Sequence, residues 1–311
     1  MASPAARLPA CQAQRDHLRR ALPRLARVWY HEKWTMLSAM IQPALTTQTD
    51  TLCPASQLYY SAAGDGQEAV VLLHGWGDTR EVWRPTLRAL APYARAFALD
   101  LPGHGGSPLA RATQMRQVAN RVATFCAARG LASIALVGHS MGGNVALELA
   151  LNQPELVARL VLVAPAALAS AMPPYTRLYL QNGYGWAALR ASLLVYRGLD
   201  ALSRGWRPLA DASRRAPGLR RAVVAAHHDP DELRCLLGGL FANPLDDRLG
   251  RVRAPTLVIS GELDAVVPVG LSRRVAAAIP GARFALVRRA LHHPMDEQPE
   301  AFLHALLGFL T

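Results

Sequence analysis

Three short stretches of the sequence carry side chains able to act together on an electrophile. In Gly138-His139-Ser140-Met141-Gly142 a serine stands between glycines, with an apolar run before it and a helix-like run after it. A serine at a sharp strand-to-helix turn is held at strained backbone angles that lift its hydroxyl clear of a sheet. Positions two before and two after it must then be small, and Gly138 and Gly142 occupy them. The same turn sets the N–H of Met141 at a helix start, aimed where negative charge would form. A serine hydroxyl is a poor nucleophile until a base takes its proton and an acid orients that base. Asp264, in SGELDAVVP, is the expected acid, with Glu262 the competing carboxylate; His292 and His293, in ALHHPMDEQPEAF, offer the base.

An oxyanion formed at such a serine needs a second donor. LLHGWGDTREVW supplies one, since Gly75 and Gly77 let this loop fold back so that the Trp76 N–H converges with that of Met141. His74 is expected to tie the loop by hydrogen bonds. Asp100 and Gly103, in DLPGHGGS, read as turn architecture.

Elements must exist to bring these pieces to one place. Six short apolar runs between turn signals read as buried parallel strands: Ala69 to Gly75, Ala94 to Asp100, Ser133 to His139, Arg159 to Pro165, Ala254 to Gly261 and Ala282 to Arg289. Helical patterns such as Asn144 to Leu151 and Leu271 to Ala278 lie between them, which predicts an α/β domain with a mostly parallel sheet flanked by helices. The core is assigned to residues 49–165 and 249–311. Residues 166–248 break the alternation with helical periodicity, aromatics (Tyr175, Tyr179, Tyr184, Trp186, Tyr196, Trp206) and arginines, and read as a helical cap over the strands' C-terminal edge. Residues 1–48 precede the strand pattern as a basic amphipathic extension. Its stripe of Leu22, Leu25 and Trp29, interrupted by Pro23, is expected to pack on its own domain or to lie on an anionic membrane surface.

Composition narrows the classes. Of 311 residues, 51% are hydrophobic and 18% charged, enough apolar material for a sizeable core. The net charge of +12 would attract acidic partners, yet no basic run is interleaved with stacking aromatics, so no nucleic-acid role is expected. Cys11, Cys53, Cys126 and Cys235 are scattered without metal or redox spacing, and they read mostly as small buried hydrophobes. Neither a metal nor a cofactor is expected. The N-terminus lacks the apolar segment of a secretory signal, and a cytoplasmic location is expected.

Taken together, the motifs resemble the α/β-hydrolase family from about Ala69 to the C-terminus. Its oxyanion loop is matched by His74-Gly75-Trp76, its D-x-P-G-x-G-x-S turn by Asp100 to Ser107, its nucleophile elbow by Gly138 to Gly142 and its acid loop by Gly261 to Pro268. Its base loop is matched by Leu291 to Pro299, except that leucine stands where the family has glycine. The resemblance implies a Ser140–His292–Asp264 triad, favouring His292 over His293, with the Trp76 and Met141 N–H groups as oxyanion donors. It further implies a serine carboxylesterase or lipase acting on small acyl esters, because relatives that open alkyl halides and epoxides carry aspartate at the elbow. HGWG followed by EVW is similar to carboxylesterases that cleave the pimeloyl methyl ester on acyl carrier protein. Thioester cleavage or acyl transfer on an acyl carrier protein is the alternative, with Arg190, Arg197, Arg204 and Arg207 as candidate contacts.

Overall fold

In the computed structural model, residues 49–205 and 216–310 are described here. The N-terminal stripe, Cys11, Trp206 and Arg207 fall outside them.

The six expected strands form: β3 (Glu68–Leu73), β4 (Ala94–Leu99), β5 (Ile134–His139), β6 (Val157–Val163), β7 (Thr256–Gly261) and β8 (Arg283–Val287). Two more, β1 (Thr49–Cys53) and β2 (Leu58–Ala63), precede them. β1 has no apolar-run signature because it is the edge strand, exposed at Thr49 to Leu52, and the mostly buried β2 has none because Tyr59, Tyr60 and Ser61 interrupt its apolar pattern. The order is β1-β2-β4-β3-β5-β6-β7-β8, with β1 and β2 antiparallel and the remaining six parallel.

Helices cover both faces. Five belong to the core pattern: α1 (Arg84–Leu90), α2 (Met115–Ala128), α3 (Met141–Asn152), α7 (Val269–Ala278) and α9 (Pro299–Leu310), the last preceded by the short α8 (Pro294–Glu297). Between β6 and β7 lie α4 (Tyr184–Gly205), α5 (Pro217–Ala225) and α6 (Pro230–Phe241), where the sequence predicts helices without strands. Leu236, Leu237 and Leu240 of α6 enter the main core, while Leu233 joins Leu189 and Leu193 of α4 in a smaller cluster against Trp76 and Tyr179. The helical insertion is thus cemented to the loop after β3 by apolar burial. Among the described residues no helix is long and apolar enough to cross a membrane.

Register decides where the chemistry falls. Leu73 pairs with Gly138, His139 with Val163 and Ile259 with Val163, so β3, β5, β6 and β7 end at one edge. Side chains just past those ends therefore meet there whatever their separation in sequence.

Candidate active site

Ser140 follows β5 at φ 52° and ψ −114°, a left-handed conformation that a residue with a β-carbon rarely holds. The surroundings enforce it. The Ser140 N–H donates to the Val163 carbonyl at 2.9 Å, and its carbonyl accepts from Gly143 and Ala166, each at 3.0 Å. The flanking glycines are required by contact: a β-carbon on Gly138 would lie 2.3 Å from the Gly142 oxygen, and one on Gly142 would lie 2.5 Å from the His74 oxygen. Ser140 is 8% exposed.

Each candidate partner settles into a definite role in the bonding. Asp264 Oδ2 accepts from His292 Nδ1–H at 2.8 Å, and Oδ1 accepts from the Val266 and Val267 N–H groups at 2.8 and 2.9 Å. Its side chain is fully buried. Glu262 turns away and accepts from the Arg289 N–H at 2.9 Å. His293 pairs not with Asp264 but with Asp78, Nε2 to Oδ2 at 2.9 Å. The His292 carbonyl accepts from His139 Nε2–H at 2.9 Å, which holds the His292 loop against the residue preceding Ser140. Among the described residues no hydrogen bond joins Ser140 Oγ to His292. The imidazole–carboxylate link is made, while the hydroxyl–imidazole link is open. Leu291 is accommodated by pointing outward, 53% exposed, with its N–H on the Glu297 carboxylate at 2.6 Å.

The oxyanion loop is fixed by a histidine scaffold. His74 accepts from the Leu101 N–H at 2.9 Å and donates Nδ1–H to the Gly75 carbonyl at 2.7 Å. His104 accepts from the Gly77 N–H at 3.0 Å and donates to the Pro102 carbonyl at 3.1 Å. Burial pushes both imidazoles below the usual histidine value, keeping the neutral tautomers these bonds need. Asp100 orders the neighbouring turn by accepting from Arg80 and from the Gly106 N–H. Among the described residues the Trp76 and Met141 N–H groups have no acceptor and stay available to a ligand oxygen.

A cavity of about 230 Å³ opens beside this loop, lined by Trp76, Asp78, Tyr179, Tyr196, Leu233 and His293 among others. Ser140 and His292 are not among its lining residues. Trp76 closes it toward the helical insertion: its Nε1–H donates to the Leu233 carbonyl at 2.7 Å and its ring stacks on Tyr179 at 5.8 Å. Of the aromatics in residues 166–248, Tyr175, Tyr184 and Trp186 face outward. Arg197 is engaged with the Ala226 carbonyl and Arg190 lies over the Trp186 ring. Of the expected buried thiols, Cys53 and Cys126 are buried and Cys235 is exposed.

One pair escapes sequence reasoning: Asp78 with His293, joined across residues far apart in the chain. With His139 they form a potential metal-ligating group. The only sequence signal was the doubled histidine.

The fold has counterparts in known proteins. A family model described as the alpha/beta hydrolase fold matches residues 68–299. The chain belongs to the α/β-hydrolase family. A pimeloyl-[acyl-carrier protein] methyl ester esterase of Yersinia pseudotuberculosis is 31% identical over 259 residues, covering 81% of this chain and 97% of that protein. A thermophilic esterase of Thermogutta terrifontis, with malate bound, superposes with a TM-score of 0.65 at 25% identity, covering 85% of this chain and 98% of that one. An enol-lactonase of Burkholderia xenovorans gives 0.67 at 25% identity, covering 81% and 96%. The α/β-hydrolase is accordingly an enzyme of the esterase type.

Proposed function

We propose that this α/β-hydrolase cleaves carboxylic esters through an acyl-enzyme intermediate, with Ser140 as nucleophile, His292 as general base and Asp264 as the group that orients His292. The observation carrying this reading is the buried His292–Asp264 pair held beside a serine at φ 52°. With Nδ1–H given to Asp264, His292 Nε2 keeps the lone pair that takes the Ser140 proton as Oγ attacks the acyl carbon. The ester carbonyl oxygen becomes an oxyanion facing the Trp76 and Met141 N–H groups. Collapse breaks the bond to the alcohol oxygen, and His292 returns the proton to that leaving group. Water, deprotonated by the same imidazole, then adds to the acyl-enzyme and releases the acid with regeneration of Ser140.

The substrate class we favour is an ester carried on acyl carrier protein, supported by the name of the Yersinia relative. The cavity between Trp76 and the helical insertion is the place for the apolar acyl part. Thioester cleavage or acyl transfer on the same carrier is the second reading; the Yersinia relative supports its carrier protein, while that relative's named reaction is ester cleavage. A cytoplasmic location fits such a partner. Hydrolysis of p-nitrophenyl esters that vanishes in Ser140→Ala supports ester cleavage. Silence on those esters, with salt-sensitive release of carrier-bound acyl groups from their thioester, favours the second reading.

A further inference from the structure

We infer a divalent-cation site of the zinc class, formed by His139 Nδ1, His293 Nε2 and the Asp78 carboxylate beside the oxyanion loop. Ligand atoms of these three residues lie within 4.8 Å of one another.

His139 carries an orphaned lone pair. His139 is 1% exposed, and its Nε2–H is committed to the His292 carbonyl at 2.9 Å. Its Nδ1 therefore presents a lone pair, and that atom is buried with no hydrogen-bond partner. A buried acceptor left unmet costs about 1–3 kcal/mol. Metal-binding histidines characteristically give their other ring N–H to a backbone carbonyl, which fixes the tautomer and aims the free nitrogen. His139 already has that arrangement.

Charge points the same way. Asp78 is 4% exposed, and among the described residues its direct ion-pair partner is His293. Among the described residues the Asp78 carboxylate is met by one imidazole, at 2.9 Å, and a carboxylate this deeply buried gains from a further positive partner. A cation between Asp78 and His293 supplies that charge. It takes the place of the proton on His293 Nε2, which moves to Nδ1 of the same ring, so no proton is lost. Two nitrogens and one carboxylate oxygen are the donors zinc selects, and three protein ligands leave a fourth position for water. Tetrahedral bonds of about 2.0–2.2 Å need donors roughly 3.4 Å apart, so a pair at the 4.8 Å limit must close by about 1.4 Å through side-chain rotation. Asp78 and His293 line the cavity, which gives an ion a path in. The three residues converge only through the loops after β3 and β8 and the last residue of β5, which is why no ligand spacing shows in the sequence.

This inference does not depend on the ester-cleaving reading, and its test does not use activity. Untagged full-length protein, stripped with chelator, is titrated with zinc chloride by calorimetry. One ion per chain is expected at micromolar affinity or better, weakened about 10-fold or more in Asp78→Asn and in His293→Gln. Cobalt(II) at the same site should give the intense visible bands of a four-coordinate ion, lost in both variants. Circular dichroism checks that both variants fold, and His227→Ala serves as control because His227 forms a separate pair with Asp200. No saturable uptake overturns the inference. So does uptake that survives in both variants.

Discussion

Replacing Asp264 with asparagine tests the orienting role with little disturbance of shape. The amide would keep an oxygen where Oδ1 accepts from the Val266 and Val267 N–H groups, at 2.8 and 2.9 Å in the native protein. Its nitrogen would take the place of Oδ2, where His292 Nδ1–H now donates at 2.8 Å. Two donors cannot share that line, so the imidazole shifts its proton from Nδ1 to Nε2 and accepts from the amide. His292 then presents an N–H toward Ser140 and cannot take its proton. A tautomer reversal of this kind lowers kcat by about 10⁴-fold, or roughly 5.5 kcal/mol of barrier. Stability changes little, because one charge-assisted hydrogen bond is exchanged for a neutral one, about 1–2 kcal/mol. Single-turnover hydrolysis of a p-nitrophenyl ester measures the loss, and thermal unfolding verifies the fold. A fall in kcat of less than about tenfold, with the fold intact, would refute the role of Asp264 in orienting the base.

Further outcomes follow from the same geometry. His292→Gln should lose activity to a similar degree, whereas His293→Gln, whose partner is Asp78, should retain it within about tenfold; kcat for the two variants decides which imidazole is the base. Trp76→Phe removes the indole donor to the Leu233 carbonyl but keeps the backbone N–H, so KM should rise while kcat stays within about threefold. Gly138→Ala drives a β-carbon to 2.3 Å from the Gly142 oxygen, and about 3 kcal/mol of overpacking should lower Tm by roughly 6 °C. Glu148 on α3 bonds Arg248, Asn243 and Asn152. Burial raises its carboxyl, but these bonds outweigh it, and the folded value lies below the ordinary 4.5. Its stabilisation is thus present above about pH 4.5 and lost as pH falls through the lower folded value. Glu148→Gln should flatten that acid limb in denaturant unfolding at a cost of about 2 kcal/mol at neutral pH.

The legible parts of this chain are those in which local pattern and global place coincide. Strands β3 to β7 are buried on nearly every side chain, so they read as unbroken apolar runs. The placement of Ser140 and Asp264 is legible because each follows such a run, and that of His292 because it follows the last strand, with parallel strands carrying their ends to one edge. β1 escapes notice because the sheet's edge does not demand apolar residues, and the buried β2 because Tyr59, Tyr60 and Ser61 interrupt its apolar pattern. The Asp78–His293 pair escapes for another reason: two loops meet there, and their meeting depends on register and on the insertion, which no local spacing encodes. The cavity likewise takes its shape from how Tyr179, Tyr196 and Leu233 pack on Trp76.

The central claim is that Ser140 is the attacking atom's residue, and active-site labelling tests it most directly. Protein treated with a fluorophosphonate is digested and mapped by mass spectrometry, alongside Ser140→Ala and Asp264→Asn. The account predicts one phosphonyl adduct, on Ser140, with loss of ester hydrolysis in step with labelling and a greatly slowed reaction in Asp264→Asn. Ester hydrolysis that persists in fully labelled protein, or an adduct on another residue that tracks inactivation, would contradict it.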